Sequence, residues 1–224
     1  MGIAERQKRE RKRRIDSILD AAEKVIDNKG IANATMDEIA RVAELGKSTI
    51  YNYFDSRQLL LAALDLRGTK IEEKGFEEAY EAGKNGLERT LKICRFYFKY
   101  AMENPVCFQA KVQMGRISPD TFANLGDIPL GKKYMKALRR IHKILADSLA
   151  DGVRDGSIRD DIDPQRMSLL LWCQSNGVIE IMQNRGEFIE AVRKISPQQI
   201  EDDFFQSLEY QLTAPVVSVS DDNF

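Results

Sequence analysis

A cluster of polar side chains between residues 47 and 52 has the types needed to bind a polyanion. Lys47, Ser48, Thr49, Tyr51 and Asn52 supply an ammonium, two hydroxyls, a phenol and an amide within six residues. All five donate hydrogen bonds of the kind that phosphate oxygens and base edges accept. Ile50 and Phe54 are the apolar positions of the same stretch, at helical spacing. The pattern therefore predicts a short helix with apolar residues inward and hydrogen-bond donors outward.

A helix cap lies upstream of this cluster and sets its frame. Thr35 and Glu38 form a capping box, in which the hydroxyl accepts a backbone N–H and the carboxylate reaches back. A short helix follows, with Ile39 and Ala40 inward, and residues 44–46 interrupt it. Two short helices joined by a tight turn indicate a helix-turn-helix, whose second helix fits the major groove of DNA.

The run TMDEIARVAELGKSTIYNYF, residues 35–54, resembles the DNA-binding domain of the TetR family of bacterial transcriptional repressors. The similarity extends over residues 10–66, roughly the first quarter of the chain. The positions that carry it are Thr35, Ile39, Ala40, Ala43, Lys47, Thr49, Ile50, Tyr51, Tyr53, Phe54 and Arg57.

The resemblance implies a role for each polar position of the motif. Phosphate contacts are expected from Thr35, Tyr51, Asn52 and Arg57, base-edge contacts from Lys47, Ser48 and Thr49, and a backbone contact or packing from Tyr53. The chain departs from the family in the turn, where Gly-Val-Ser is common and Glu-Leu-Gly stands here. Glu44 must then adopt a positive φ and brings a negative charge toward DNA, whereas Gly46 still serves as a helix N-cap.

The charge of the chain is unevenly distributed. Lys plus Arg number 34 and Asp plus Glu 35, a net charge of −1, which as an average gives no sign of a nucleic-acid partner. Residues 1–14 nevertheless carry seven cations and two acids, and residues 201–224 carry six acids and no cation. Residues 6–14 are expected to precede the first helix as a basic arm that follows the minor groove or the DNA backbone. A solvated tail is the alternative for such a charge run.

Helical periodicity continues to residue 213, and no convincing strand pair interrupts it. The predicted fold is all-α, with about nine helices in two domains: a three-helix DNA-binding domain in residues 1–67, then a larger helical domain in residues 68–224. The resemblance implies that the second domain binds a ligand and forms a homodimer through the last two long helices, about 164–184 and 197–213. The candidate residues for an apolar or aromatic ligand are Phe98, Met102, Phe108, Met114 and Trp172.

Several classes of protein are disfavoured by the sequence. It has no apolar run long enough to span a membrane and no secretory leader, and its three cysteines lack metal-ligand or disulfide spacing. We therefore expect a cytoplasmic protein without a metal, a cofactor or enzymatic activity, whose partners are a palindromic duplex DNA, a small effector and a second copy. Repression and activation both stay open. The alternatives are an all-α enzyme or small-molecule carrier with a structural helix-turn-helix, and a membrane-surface anchor formed by the basic first helix.

Overall fold

The computed structural model describes residues 2–118, 120–121 and 128–213. Within these ranges the regular structure is helical, which confirms the predicted all-α class. The nine helices bounded within these ranges are α1 Ile3–Lys29, α2 Met36–Val42, α3 Lys47–Tyr53, α4 Arg57–Ala82, α5 Gly86–Glu103, α6 Pro105–Met114, α7 Pro129–Asp155, α8 Pro164–Arg193 and α9 Pro197–Thr213.

Caps fix the ends of the first helices as the sequence predicts. Gly30 ends α1 with a φ of 77°, which a glycine adopts without a Cβ clash. The Thr35 side chain accepts a hydrogen bond from the Glu38 backbone N–H at 3.2 Å, so the capping box starts α2. Ser56 Oγ accepts from the Leu59 N–H at 3.2 Å and starts α4. These local hydrogen bonds fix the end of α1 and the starts of α2 and α4.

The basic residues 6–14 are helical rather than an arm before the first helix, so that expectation is wrong. They form part of α1, which begins at Ile3. No Gly or Pro occurs between residues 3 and 29, and Arg, Lys, Gln and Glu are strong helix formers, so nothing ends the helix before its packed part. Helix α8 is also longer than predicted and ends at Arg193, where the C-cap residue Lys194 adopts a left-handed φ of 58°.

The described residues pack in two compact units. The first takes in residues up to 71 and 103–138, and the second takes in 72–102 and the chain from 139 onward. The unit that holds the helix-turn-helix therefore includes 103–138, which the predicted division at 67/68 assigns to the second domain. A functional boundary at that point stays a prediction. The pair Ser118-Pro119, in which Ser can cap a helix and Pro suits its first position, predicts the start of a short helix that falls partly outside the described residues.

Each unit has its own apolar core. In the first unit, α1–α4 bury a continuous cluster that includes Ile18, Ile26, Ile39, Ile50 and Leu64. In the second unit, α5 and α7 approach so closely that a Cβ on Gly86 would lie 1.9 Å from the Gly152 backbone nitrogen. Asp155 accepts a hydrogen bond from the Gly86 N–H at 2.8 Å and caps α5. In the described part of the chain, no helix is both long and apolar enough to cross a bilayer.

Candidate nucleic-acid interface

Two fully buried side chains anchor the inner face of helix α3. Ile50 and Phe54 lie in the core of the first unit. The turn before α3 closes through a hydrogen bond from the Leu45 N–H to the Ala40 carbonyl at 2.8 Å. Glu44 adopts a φ of 55°, the left-handed conformation that the sequence required of it, and Gly46 is the N-cap of α3 as predicted. The turn geometry of a helix-turn-helix therefore forms without the usual glycine.

Six of the eight predicted DNA contacts lie on α3, which spans residues 47–53. The side chains of Lys47, Ser48 and Asn52 are exposed, and Tyr51 is 38% exposed despite its size. Thr49 and Tyr53 are half-buried. Because Ile50 and Phe54 take the inner face, the outer face offers hydroxyl, amide and ammonium donors within two helical turns. This arrangement fits base-edge and phosphate contacts in a groove.

Lys47 forms an exposed ion pair with an acid of the preceding helix. Its Nζ lies 2.8 Å from Asp37 Oδ2, and the two side chains are 67% and 58% exposed. The hydrogen bond to Asp37 raises the pKa of Lys47. The ammonium is therefore charged at neutral pH, and a phosphate or base must compete with Asp37 for it. No motif in the sequence predicts this ion pair between Lys47 and Asp37.

Thr35 is exposed at the start of α2, where its hydroxyl already caps the helix. Its partner Glu38 forms an ion pair with Lys29, and that hydrogen bond lowers the pKa of Glu38. The hydroxyl also donates a hydrogen bond to Glu38 Oε2 at 3.3 Å, so a phosphate would compete with that carboxylate for its proton. A phosphate contact from Thr35 stays a prediction that this geometry allows.

Arg57 has a different environment from the one expected of a phosphate contact. Its guanidinium donates hydrogen bonds to the backbone carbonyls of Ile31 and Ala34, the latter at 3.4 Å. The side chain is half-buried and braces the loop that leads into α2. A phosphate contact from Arg57 stays a prediction, but the structure gives this residue a second role in positioning the motif.

Tyr53 contacts the basic part of α1. The Arg11 guanidinium carbon lies 5.1 Å from the centroid of the Tyr53 ring, within cation–π range. This contact joins the last residue of α3 to the basic segment of α1. The Tyr53 ring therefore packs against Arg11, and a DNA-backbone contact from Tyr53 stays a prediction.

The five predicted ligand residues are divided between the two units, three in the second and two in the first, and their role in ligand binding stays a prediction. Trp172 alone among them lines a cavity of about 30 Å³ in the second unit. Phe98 is buried against Phe204 and Phe205, and Met102 is 49% exposed. Phe108 and Met114 are buried in the first unit. The helical pattern marked these residues as apolar but gave no information on which interior each would enter.

Polar side chains that the sequence did not single out for a ligand also line the cavity, Ser175 among them. Glu72 is fully buried, and the ring of His142 packs edge-on against Trp172 with centroids 5.8 Å apart. The thiol of Cys94 also lines it, and burial raises the pKa of that thiol to about 12. Phe76, Tyr97, Ile141, Leu145 and Leu171 complete most of an aromatic and aliphatic wall. No local motif would have revealed this set, because four helices supply it.

The geometry of α2, the turn and α3 defines a helix-turn-helix DNA-binding unit. Residues 18–64 match the sequence model described as bacterial regulatory proteins, tetR family. This match confirms, for the helix-turn-helix segment, the resemblance to the TetR family that the sequence pattern predicted. Two uncharacterised HTH-type transcriptional regulators of Mycobacterium tuberculosis are 44% identical to it over 55 residues. That stretch is 25% of this chain and spans only about a quarter, 27%, of each relative.

Solved structures resemble the chain over most of its length. The transcriptional regulator FadR from Bacillus subtilis, solved with stearoyl-CoA, superposes with a TM-score of 0.65 at 18% identity and covers 88% of this chain and 98% of its own. AibR, solved with isovaleryl coenzyme A and operator DNA, gives a TM-score of 0.60 at 16% identity over 91% and 100%. At such low identity these likenesses establish the fold, which is a helix-turn-helix domain within a larger helical protein.

Proposed function

We propose that this chain is a DNA-binding transcriptional regulator, a homodimeric repressor that binds a palindromic operator in the bacterial cytoplasm and is released by a small apolar or aromatic effector. One observation carries the proposal. The outer face of α3 presents Lys47, Ser48, Tyr51 and Asn52 to solvent, while its inner face is locked in the core. A side-chain set of this kind on a helix that follows a tight turn is built to enter the major groove.

A second copy of the chain is supported by uncovered apolar residues on the last two helices. Leu169, Leu170, Ile181 and Phe188 of α8 and Tyr210 of α9 are large and exposed, Phe188 to 63% and Tyr210 to 70%. Apolar surface of this extent favours burial against a partner. A two-fold dimer through α8 and α9 would place two α3 helices about one DNA turn apart, roughly 34 Å, and requires a palindromic site.

A small effector is supported by the cavity around Trp172. Its wall is aromatic and aliphatic, which suits an apolar or aromatic group. Its present volume of about 30 Å³ is room for little more than a water, so the side chains must open to admit a ligand. FadR and AibR are described with acyl-CoA ligands, which makes an acyl chain one candidate. An effector that binds better to the form with mis-spaced reading helices weakens the affinity for DNA. By linkage, DNA weakens the affinity for the effector by the same factor.

The same cavity gives little support to the enzyme alternative. Among its lining residues the one thiol, Cys94, stays protonated because burial raises its pKa to about 12. A protonated thiol is a poor nucleophile. The regulators to which the chain is similar are transcription factors, so we propose that the chain has no catalytic activity of its own.

Selection of bound duplexes from random DNA tests the proposal. We expect the full-length protein to enrich a palindrome whose half-sites are about one helical turn apart. Enrichment of a single, non-palindromic half-site would contradict the dimer, and no enrichment at all would contradict the regulator. Binding of the enriched duplex should also weaken steeply with salt, because phosphate contacts release counterions.

Trp172 offers a direct test of the effector site because it is the only tryptophan in the chain. We expect octanoyl-CoA or butylbenzene to shift its emission, and Ser175→Val to weaken that binding. Ser175 is buried in the cavity wall, so the larger valine crowds the space that a ligand would need. Such overpacking costs about 1–3 kcal/mol, which corresponds to a loss of roughly 5- to 150-fold in affinity. Ser17→Val, at an exposed position of α1 in the first unit, is the matched control. An unchanged Trp172 emission with both probes would contradict the proposed effector classes.

A further inference from the structure

The cavity around Trp172 is closed by buried side chains on all but one side. Its lining residues other than Trp172 and His142 are buried, and those two are half-buried. The side of the cavity nearest to solvent is therefore this pair, whose rings pack edge-on with centroids 5.8 Å apart. A ligand that enters past the two rings meets a wall from which water is excluded, so its polar groups must find partners there.

Glu72 places a carboxylate in this wall. It is 0% exposed and lies on α4, in the part of that helix that belongs to the second unit. The described residues that line the cavity include no lysine and no arginine. The Cys94 thiol is uncharged at neutral pH, because burial raises its pKa to about 12. The wall therefore favours a positive ligand group over a negative one, since charges interact strongly where water is excluded.

Aromatic rings line the same space as the carboxylate. Phe76, Tyr97 and Trp172 belong to the wall, and the rings of Phe76 and Tyr97 meet edge to face with centroids 6.1 Å apart. The Tyr97 hydroxyl donates a hydrogen bond to Asn176 Oδ1 at 2.7 Å, which holds its ring in place. The faces of such rings carry negative charge density and attract organic cations. A carboxylate among aromatic rings is thus suited to an ammonium group on an apolar body.

We propose that the effector of this cavity is an organic cation, a protonated amine carried on an aromatic or apolar body. The inference rests on the proposed function and makes it more specific, because it names the charge of the effector. Glu72 accepts a hydrogen bond from the ammonium, and the aromatic rings pack against the body. A carboxylate has about four acceptor sites, so Glu72 can bind the ligand while it keeps a partner within the protein.

An anion and an uncharged acyl chain are the competing ligands, and the wall offers less to both. An anion would be buried in the same small cavity as Glu72, where like charges repel each other with little screening. An acyl chain would fill the apolar wall but would give Glu72 no hydrogen bond to accept. His142 is the lining residue that can carry a positive charge, so a measured preference for an anion would assign the polar role to it.

Three probes of similar shape test the charge of the effector. Phenylbutylamine, phenylbutyrate and butylbenzene are a cation, an anion and an uncharged molecule at neutral pH. Trp172 emission from the full-length protein reports their binding. We expect the amine to bind more tightly than the butyrate. Glu72→Gln should weaken amine binding by roughly 5- to 15-fold, because an amide accepts a weaker hydrogen bond from an ammonium than a carboxylate does, and should leave butylbenzene binding unchanged.

The matched control is Glu81→Gln, the same change at an exposed position of α4 outside the cavity, and it should bind all three probes as the wild type does. An equal loss of amine binding in this control overturns the inference. Equal amine affinities of the wild type and Glu72→Gln overturn it too, and so does an equal loss of butylbenzene binding in Glu72→Gln, which would give Glu72 a structural role.

The wild type alone also decides the question, so the test holds even if circular dichroism shows that Glu72→Gln does not fold. Tighter binding of phenylbutyrate than of phenylbutylamine overturns the inference in favour of an anionic effector. An unchanged Trp172 emission with all three probes overturns it as well. Because these titrations contain no DNA, they are independent of the operator selection, and failure to select a palindrome counts against the proposed function alone.

Discussion

Lys47→Ala is expected to weaken binding to the selected operator by about 1–3 kcal/mol per protomer, or roughly 5- to 150-fold. Lys47 is the first residue of α3 and its side chain is 67% exposed, so truncation removes a cation from the reading face without disturbing the core. Fluorescence anisotropy with the operator and with duplexes altered at single base pairs measures the effect. A base contact predicts relaxed specificity at one position, whereas a phosphate contact predicts a uniform loss and a smaller salt slope.

Asp37 provides a second test of the same contact, because it forms an ion pair with Lys47 in the free protein. Its carboxylate lies 2.8 Å from the ammonium and must release or share it when DNA binds. Asp37→Asn should therefore tighten binding, since it removes both the competitor and a negative charge near the phosphates. Lys29→Ala is the control for Lys47→Ala, because Lys29 also forms an exposed ion pair, with Glu38, but lies outside α3. If Lys47→Ala binds as the wild type does, Lys47 has no part in the interface.

The helix-turn-helix was predictable because short-range interactions define it. The Thr35 cap depends on a residue three positions away, and the end of α1 depends on Gly30 alone. The left-handed φ of Glu44 follows from the need to close a turn between two short helices. Each of these features lies within a few residues of its cause, so spacing in the sequence was enough to place α2 and α3.

Features that depend on distant partners were beyond the reach of periodicity. Arg57 donates hydrogen bonds to backbone carbonyls 23 and 26 residues upstream, in the loop between α1 and α2. Helical spacing cannot predict a contact over that distance along the chain. Met102 has an apolar type but an exposed position, whereas Glu72 has a charged type and a buried one. The cavity around Trp172 needs the relative rotation of four helices, which a single sequence leaves undetermined. Residues 6–14 were misplaced for a local reason. Their charge suggested a tail before the first helix, although their helix propensity is high and they form part of α1.

The largest expected effect on stability comes from Asp65, a fully buried carboxylate in the first unit. Tyr134 donates a hydrogen bond to its Oδ2 at 2.6 Å, and Thr69 donates one to its Oδ1 at 3.2 Å. The buried ammonium of Lys111 lies 3.9 Å from the same Oδ1. Asp65→Ala removes an acid from a buried cation and an acceptor from the Tyr134 hydroxyl, whereas the Thr69 hydroxyl keeps the Asp65 backbone carbonyl at 2.9 Å. Breaking a buried pair in this way costs about 3–5 kcal/mol of unfolding free energy, measured by urea denaturation.

A double variant separates the loss of the ion pair from the loss of packing. Asp65→Leu with Lys111→Met replaces both charges by apolar groups, and such replacements of buried pairs are often neutral. We therefore expect it to recover most of the stability that Asp65→Ala loses. Asp147→Ala breaks an exposed pair with Lys143 on α7 and should cost less than about 1 kcal/mol. A double variant as unstable as Asp65→Ala would show that the hydroxyl hydrogen bonds, rather than the desolvated charges, hold α4 against α7 within the unit that carries the reading helix.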